Sequence, residues 1–103
     1  MAIAEVSVIP IGTGSTSLSS YVADMQRVLE TVEGVTYELT SMGTIIEGPL
    51  GRILAAVEAL HESPFKSGAQ RVSTSVKIDD RRDKDSTSRG KLESVERKLL
   101  QSN

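Results

Sequence analysis

The chain has 103 residues, 38% apolar and 25% charged, with a formal charge of −2, which fits one domain with one modest core. It has no Cys and no Trp, and its aromatics are Tyr21, Tyr37 and Phe65, so disulfides, thiolate metal sites and Cys nucleophiles are excluded. No apolar run approaches the roughly 20 residues of a membrane helix, and the N-terminus lacks the basic and apolar stretches of a signal peptide; a single cytoplasmic domain over 1–103, with no membrane partner, is expected.

Ala2 to Ile11 alternates as a strand, with Ala4, Val6 and Val8 on one face and Ile3, Glu5, Ser7 and Ile9 on the other. Pro10, Gly12 and Gly14 end it. Leu18, Tyr21, Val22, Met25, Val28, Leu29 and Val32 then fall at the spacing of one helical face, with Ser17 as N-cap and Gly34 as the stop. Val35 to Thr40 alternates again, and Ser41-Met42-Gly43 leads into Thr44-Ile45-Ile46-Glu47, two short runs that read as an antiparallel hairpin. Pro49 suits the first turn of a second helix with Leu50, Ile53, Leu54, Val57 and Leu60 on its stripe, closed by Ser63-Pro64. Gln70 to Asp79 is the clearest strand, with Val72, Thr74, Val76 and Ile78 against Arg71, Ser73, Ser75 and Lys77. A polar loop from Asp80 to Gly90 precedes a short last helix, Lys91 to Gln101, carrying Leu92, Val95 and Leu99.

The order β-α-β-β-α-β with an extra C-terminal helix defines an α+β, ferredoxin-like arrangement: a four-stranded antiparallel sheet, strands one and three central, both long helices on one face. The other face, carrying Ile3, Glu5, Ser7, Ile9, Ser73, Ser75 and Lys77, is too apolar in part for ordinary surface and calls for a second subunit or a ligand.

Charge is uneven. Residues 1–65 hold two basic side chains against eight acidic, and 66–103 hold ten basic against six acidic. A basic third suggests nucleic acid, yet Asp79 to Asp85 reads DDRRDKD, a solvated, self-paired turn. RNA-binding domains of this strand order stack bases on aromatics of the central strands, and those strands have none here, so no nucleic-acid partner is expected.

Catalysis finds little support. His61 is the single histidine and reads as a helix-terminal surface residue, without a Cys or second His to pair with. Glu5 and Glu47 form the one carboxylate pair on neighbouring central strands. Gly12-Thr13-Gly14-Ser15 stands where backbone N–H groups cradle anions, but it lacks the Lys of a P-loop and the third glycine of a dinucleotide fingerprint, and a plain turn is the simpler reading.

Four segments in order, Glu5 to Gly14, Tyr37-Glu38-Leu39 with Met42-Gly43-Thr44, Ile46-Glu47-Gly48, and Arg71 to Arg81, resemble the small thiamine-binding protein family, single-domain relatives of the YkoF-type thiamine and hydroxymethylpyrimidine binders. The likeness runs from Ile3 to Lys98; Leu50-Gly51-Arg52 departs from the acidic turn of the family. The resemblance implies a ferredoxin-like homotetramer, a dimer of dimers with sheets face to face, that binds thiamine or its pyrimidine moiety as ligand, without catalysis or cofactor, as carrier, buffer or sensor. An aminopyrimidine ring suits the carboxylate of Glu47, the hydroxyls of Thr44, Ser7 and Ser73, and stacking on Tyr37; these five are the expected ligand-binding residues, with no metal site. An ACT-like regulatory module, for which a 103-residue chain leaves no partner domain, and a purely structural homo-oligomer are the alternatives.

Overall fold

In the computed structural model, which describes residues 1–83 and 88–101 with the side chains of 88, 89 and 101 excepted, the elements are β1 (Ala2–Pro10), α1 (Ser19–Leu29), β2 (Thr36–Leu39), β3 (Thr44–Gly48), α2 (Leu50–Lys66), β4 (Val72–Asp80) and α3 (Ser88–Gln101). The strand order is β2-β3-β1-β4 with every pairing antiparallel, so the fold is the expected ferredoxin-like sheet with β1 and β3 central. Residues 84–87 of the expected polar loop lie outside the described residues.

Cross-strand partners share a face, which sorts every strand residue. Ala2, Ala4 and Val6 of β1 stand beside Gly48, Ile46 and Thr44 of β3, and all six are buried beneath the helices. Ile3, Glu5, Ser7 and Ile9 join Ile45 and Glu47 of β3 and Ser73, Ser75, Lys77 and Asp79 of β4 on the other face. The core helices α1 and α2 pack on the first face, and α3 meets the second through the ion pair of Lys91 with Asp79.

The core joins these sheet residues to Met25 and Leu29 of α1 and to Ile53, Ala56 and Leu60 of α2. Leu54, expected on the buried stripe of α2, is 49% exposed; the stripe that does face the sheet runs through Ile53, Ala56, Leu60 and Ser63, and leaves Leu54 one residue out of phase. α2 also passes through Ser63-Pro64 to Lys66 instead of closing there. Pro64 sits in the last turn, where it forfeits one helical hydrogen bond, and its fully buried ring is held in the core.

Ser17 is not the N-cap of α1: Leu18 holds that position without a side-chain cap, and Ser17 Oγ lies 3.3 Å from Ser19 Oγ. α1 ends at Leu29, before the expected Val32, although Val32 still packs on the core from the following turn. His61 is half-buried within α2, with Nδ1 2.7 Å from Thr74 Oγ1 on β4 and its ring edge-on to Phe65. The expected surface histidine is thus a link between helix and sheet. Gly12 and Gly14 have φ of +77° and +75°, a left-handed backbone that side chains rarely adopt, so these glycines are explained by the turn from β1 to α1.

Candidate ligand-binding site

A cavity of about 390 Å³ opens between α1, the ends of β1 and β3 and the β2–β3 hairpin, within the size range of small-molecule sites. Val6, Val8, Leu18, Val22, Met25, Leu39 and Leu60 form apolar walls, and the hairpin residues 40–43 form one rim. The hairpin is tight because Thr40 N and Oγ1 both donate to the Gly43 carbonyl, at 2.8 and 3.0 Å. Gly43 packs against β1 so closely that an added Cβ would stand 2.6 Å from the Val6 carbonyl oxygen.

The polar feature of the wall is a pair. Gln26 Nε2 donates to Thr44 Oγ1 at 3.3 Å, joining the face of α1 to the buried end of β3. With Oγ1 accepting, the Thr44 hydroxyl proton and the Gln26 Oε1 lone pairs remain to face a ligand. No lining side chain carries a charge, so a heterocycle with adjacent donor and acceptor fits, whereas a permanent cation or a phosphate would be buried without a counter-ion.

The five expected residues divide between the two faces. Thr44 is buried and lines the cavity, and Ser7 borders it. Ser7 also belongs to the open-face row with Glu47 and Ser73, where a shallow depression of about 130 Å³ is lined by Glu5, Ser7, Ser75, Val76 and Lys77. Tyr37 pairs with Ile46, on the helix side of edge strand β2, outside the cavity. Thr44 and Glu47 are three residues apart in one strand, and odd spacing sends their side chains to opposite faces. Gln26 was missed by sequence reasoning because it is polar; the available signal was its place inside the apolar face formed by Val22, Met25 and Leu29.

Ion pairs shift the ionisable groups Asp80, Arg81 and Arg82 at the end of β4. Arg82 hydrogen-bonds Asp80 at 2.8 Å and holds its carboxyl below the usual range, while Asp80 raises Arg82. Arg81 grips Asp83 through two bonds of 2.6 and 2.9 Å and is raised in turn. Thus Arg81 and Arg82 are each held by a neighbouring carboxylate. Arg82→Ala is expected to return the Asp80 carboxyl upward toward its ordinary value, read by NMR titration of the side chain; an unchanged titration would contradict the pairing. Among the described residues, no three His, Asp or Glu side chains group as metal ligands and no helix is long and apolar enough to cross a membrane.

Fold and cavity together define a small ferredoxin-like domain with an uncharged pocket under its helices. The chain belongs to the family described as "Thiamine-binding protein", whose model matches residues 4–96. It is 52% identical to the UPF0045 protein YqgV of Bacillus subtilis over 102 residues, 96% of this chain and 98% of that one. It is 49% identical to a UPF0045 protein of Methanothermobacter thermautotrophicus, over 96% of this chain and all of that one. The solved structure of hypothetical protein MJ1052 from Methanocaldococcus jannaschii superposes with a TM-score of 0.80 at 39% identity, covering 91% of this chain and 94% of that one.

Proposed function

We propose that this protein is a non-catalytic binder of thiamine or its hydroxymethylpyrimidine moiety, acting in the cytoplasm as carrier, buffer or sensor. The observation that carries this reading is the uncharged cavity with the Gln26–Thr44 pair at its wall, in a chain of the thiamine-binding family. The aminopyrimidine edge presents an exocyclic amine next to a ring nitrogen. Gln26 Oε1 accepts from the amine, the Thr44 hydroxyl donates to the ring nitrogen, and Met25, Val22 and Leu60 enclose the ring. In thiamine the cationic ring then points to the mouth, where water solvates it. The absence of catalysis is argued from the lining, which offers no acid, base or charged group. Ser7 serves at the rim, and Tyr37, Glu47 and Ser73 contact ligand only where a second copy completes the site.

We also read the protein as a homotetramer, supported by the partly apolar sheet face that lies opposite the core helices and leaves Ile9 exposed. Calorimetric titration with hydroxymethylpyrimidine, thiamine and thiamine phosphates tests the ligand. Saturable heat with the first two supports the reading, and no heat or melting shift from any of them at millimolar concentration overturns it.

A further inference from the structure

The hydrogen bond at the cavity wall can run in either direction. In one, Gln26 Nε2 donates to Thr44 Oγ1 at 3.3 Å, which leaves Gln26 Oε1 as an acceptor and the Thr44 hydroxyl proton as a donor. In the other, the Gln26 amide is turned over and the Thr44 hydroxyl donates to Oε1. The free groups are then Gln26 Nε2, a donor, and a lone pair on Thr44 Oγ1, an acceptor. An amide turned about its last bond keeps its shape, so the exchange moves no backbone.

The surroundings commit the pair to neither direction. Among the described residues, Gln26 and Thr44 make no side-chain hydrogen bond except to each other. Val6, Val22, Met25 and Leu60 supply apolar walls, and no charged side chain lines the cavity to polarise the pair. A carboxylate in place of Gln26 would only accept and an ammonium would only donate, and either would fix one pattern. Thr44 is 7% exposed, so water does not repair a mismatched ring edge, and an unpaired group there carries its full desolvation cost.

The two directions match two ring edges. A 4-aminopyrimidine presents a ring nitrogen that accepts beside an amine that donates, which the first direction satisfies. A 4-oxopyrimidine has a carbonyl in place of the amine and a proton on the ring nitrogen, so it presents a donor beside an acceptor. In the second direction Gln26 Nε2 donates to that carbonyl, the ring N–H donates to Thr44 Oγ1, and the Thr44 proton closes the chain on Gln26 Oε1. Every polar group at the edge is paired in both cases.

We infer, on the ligand reading proposed above, that the cavity takes 4-oxopyrimidines as well as 4-aminopyrimidines by reversing the Gln26–Thr44 hydrogen bond. The second class is the ring left when hydrolysis replaces the amine by a carbonyl and releases ammonia. The protein therefore holds the intact pyrimidine and its deaminated form alike and does not sort them.

The test is calorimetric titration of the full chain with hydroxymethylpyrimidine and with its 4-oxo analogue, then displacement of the first by the second, for the wild type and Gln26→Glu. The wild type is expected to bind the two competitively and within about tenfold of each other. Gln26→Glu, which can only accept, is expected to keep the amine and lose the carbonyl ligand, widening the affinity ratio by at least about tenfold. Circular dichroism melts show whether the variant folds; if it does not, the comparison of the two ligands on the wild type decides. Wild-type binding of hydroxymethylpyrimidine with no heat from the analogue at millimolar concentration overturns the inference and leaves the proposed function standing. Binding of both without displacement also overturns it, as does an unmoved ratio in a folded Gln26→Glu. No heat from either ligand overturns the proposed function and this inference together.

Discussion

Truncation of Ile53 to alanine is expected to lower the free energy of unfolding by about 2–5 kcal/mol, a large share of the roughly 5–15 kcal/mol that holds a domain of this kind folded. Ile53 is fully buried on α2, in the cluster formed by Ala4, Ile46, Leu29 and Leu60. Removing three carbons there loses both the transfer energy and the contacts of the surrounding wall. Leu54, one residue further and 49% exposed, provides the internal control: Leu54→Ala is expected to change stability by only about 0.5 kcal/mol. Denaturant unfolding of the two variants measures the difference. Equal losses would mean that α2 is rotated relative to the sheet from the orientation described here.

Thr44→Val is expected to weaken hydroxymethylpyrimidine binding by on the order of 10- to 100-fold, as the loss of one ligand hydrogen bond and of the Gln26 partner amounts to about 1–3 kcal/mol. Valine keeps the volume of threonine, so the cavity retains its shape and the loss reports the hydroxyl. Gln26→Leu, on the other half of the pair, is expected to act in the same direction. Glu47→Gln changes a residue on the opposite side of the sheet and is expected to leave affinity little altered. Calorimetric titration of the three variants decides the matter; a greater loss for Glu47→Gln than for Thr44→Val would move the site to the open face and make a second copy part of it.

These two predictions rest on different kinds of legibility. The faces of β1 and β4 were readable because strand alternation is strict: Ala4, Val6 and Val8 against Ile3, Glu5, Ser7 and Ile9 is the division the sheet shows. The stripe of α2 was less readable. Leu54 is as apolar as Ile53, and Ala56, fully buried, is too small to mark a face by composition. Pro64 looked like a helix stop because its local cost was visible in the sequence, while the buried surface that offsets that cost was not.

The candidate site shows the same limit more sharply. Motif similarity groups Thr44 and Glu47 because they are neighbours in a segment, yet a strand turns such neighbours to opposite faces. The Gln26–Thr44 pair joins residues 18 positions apart on different elements, and no local pattern records that meeting. By itself the sequence determined the element order, the sheet with its central strands and the division of its residues between two faces, since each follows from periodicity. The tertiary structure alone decided which hydroxyl meets which amide and which face bears the cavity, because helix rotation and side-chain meeting depend on packing between distant segments.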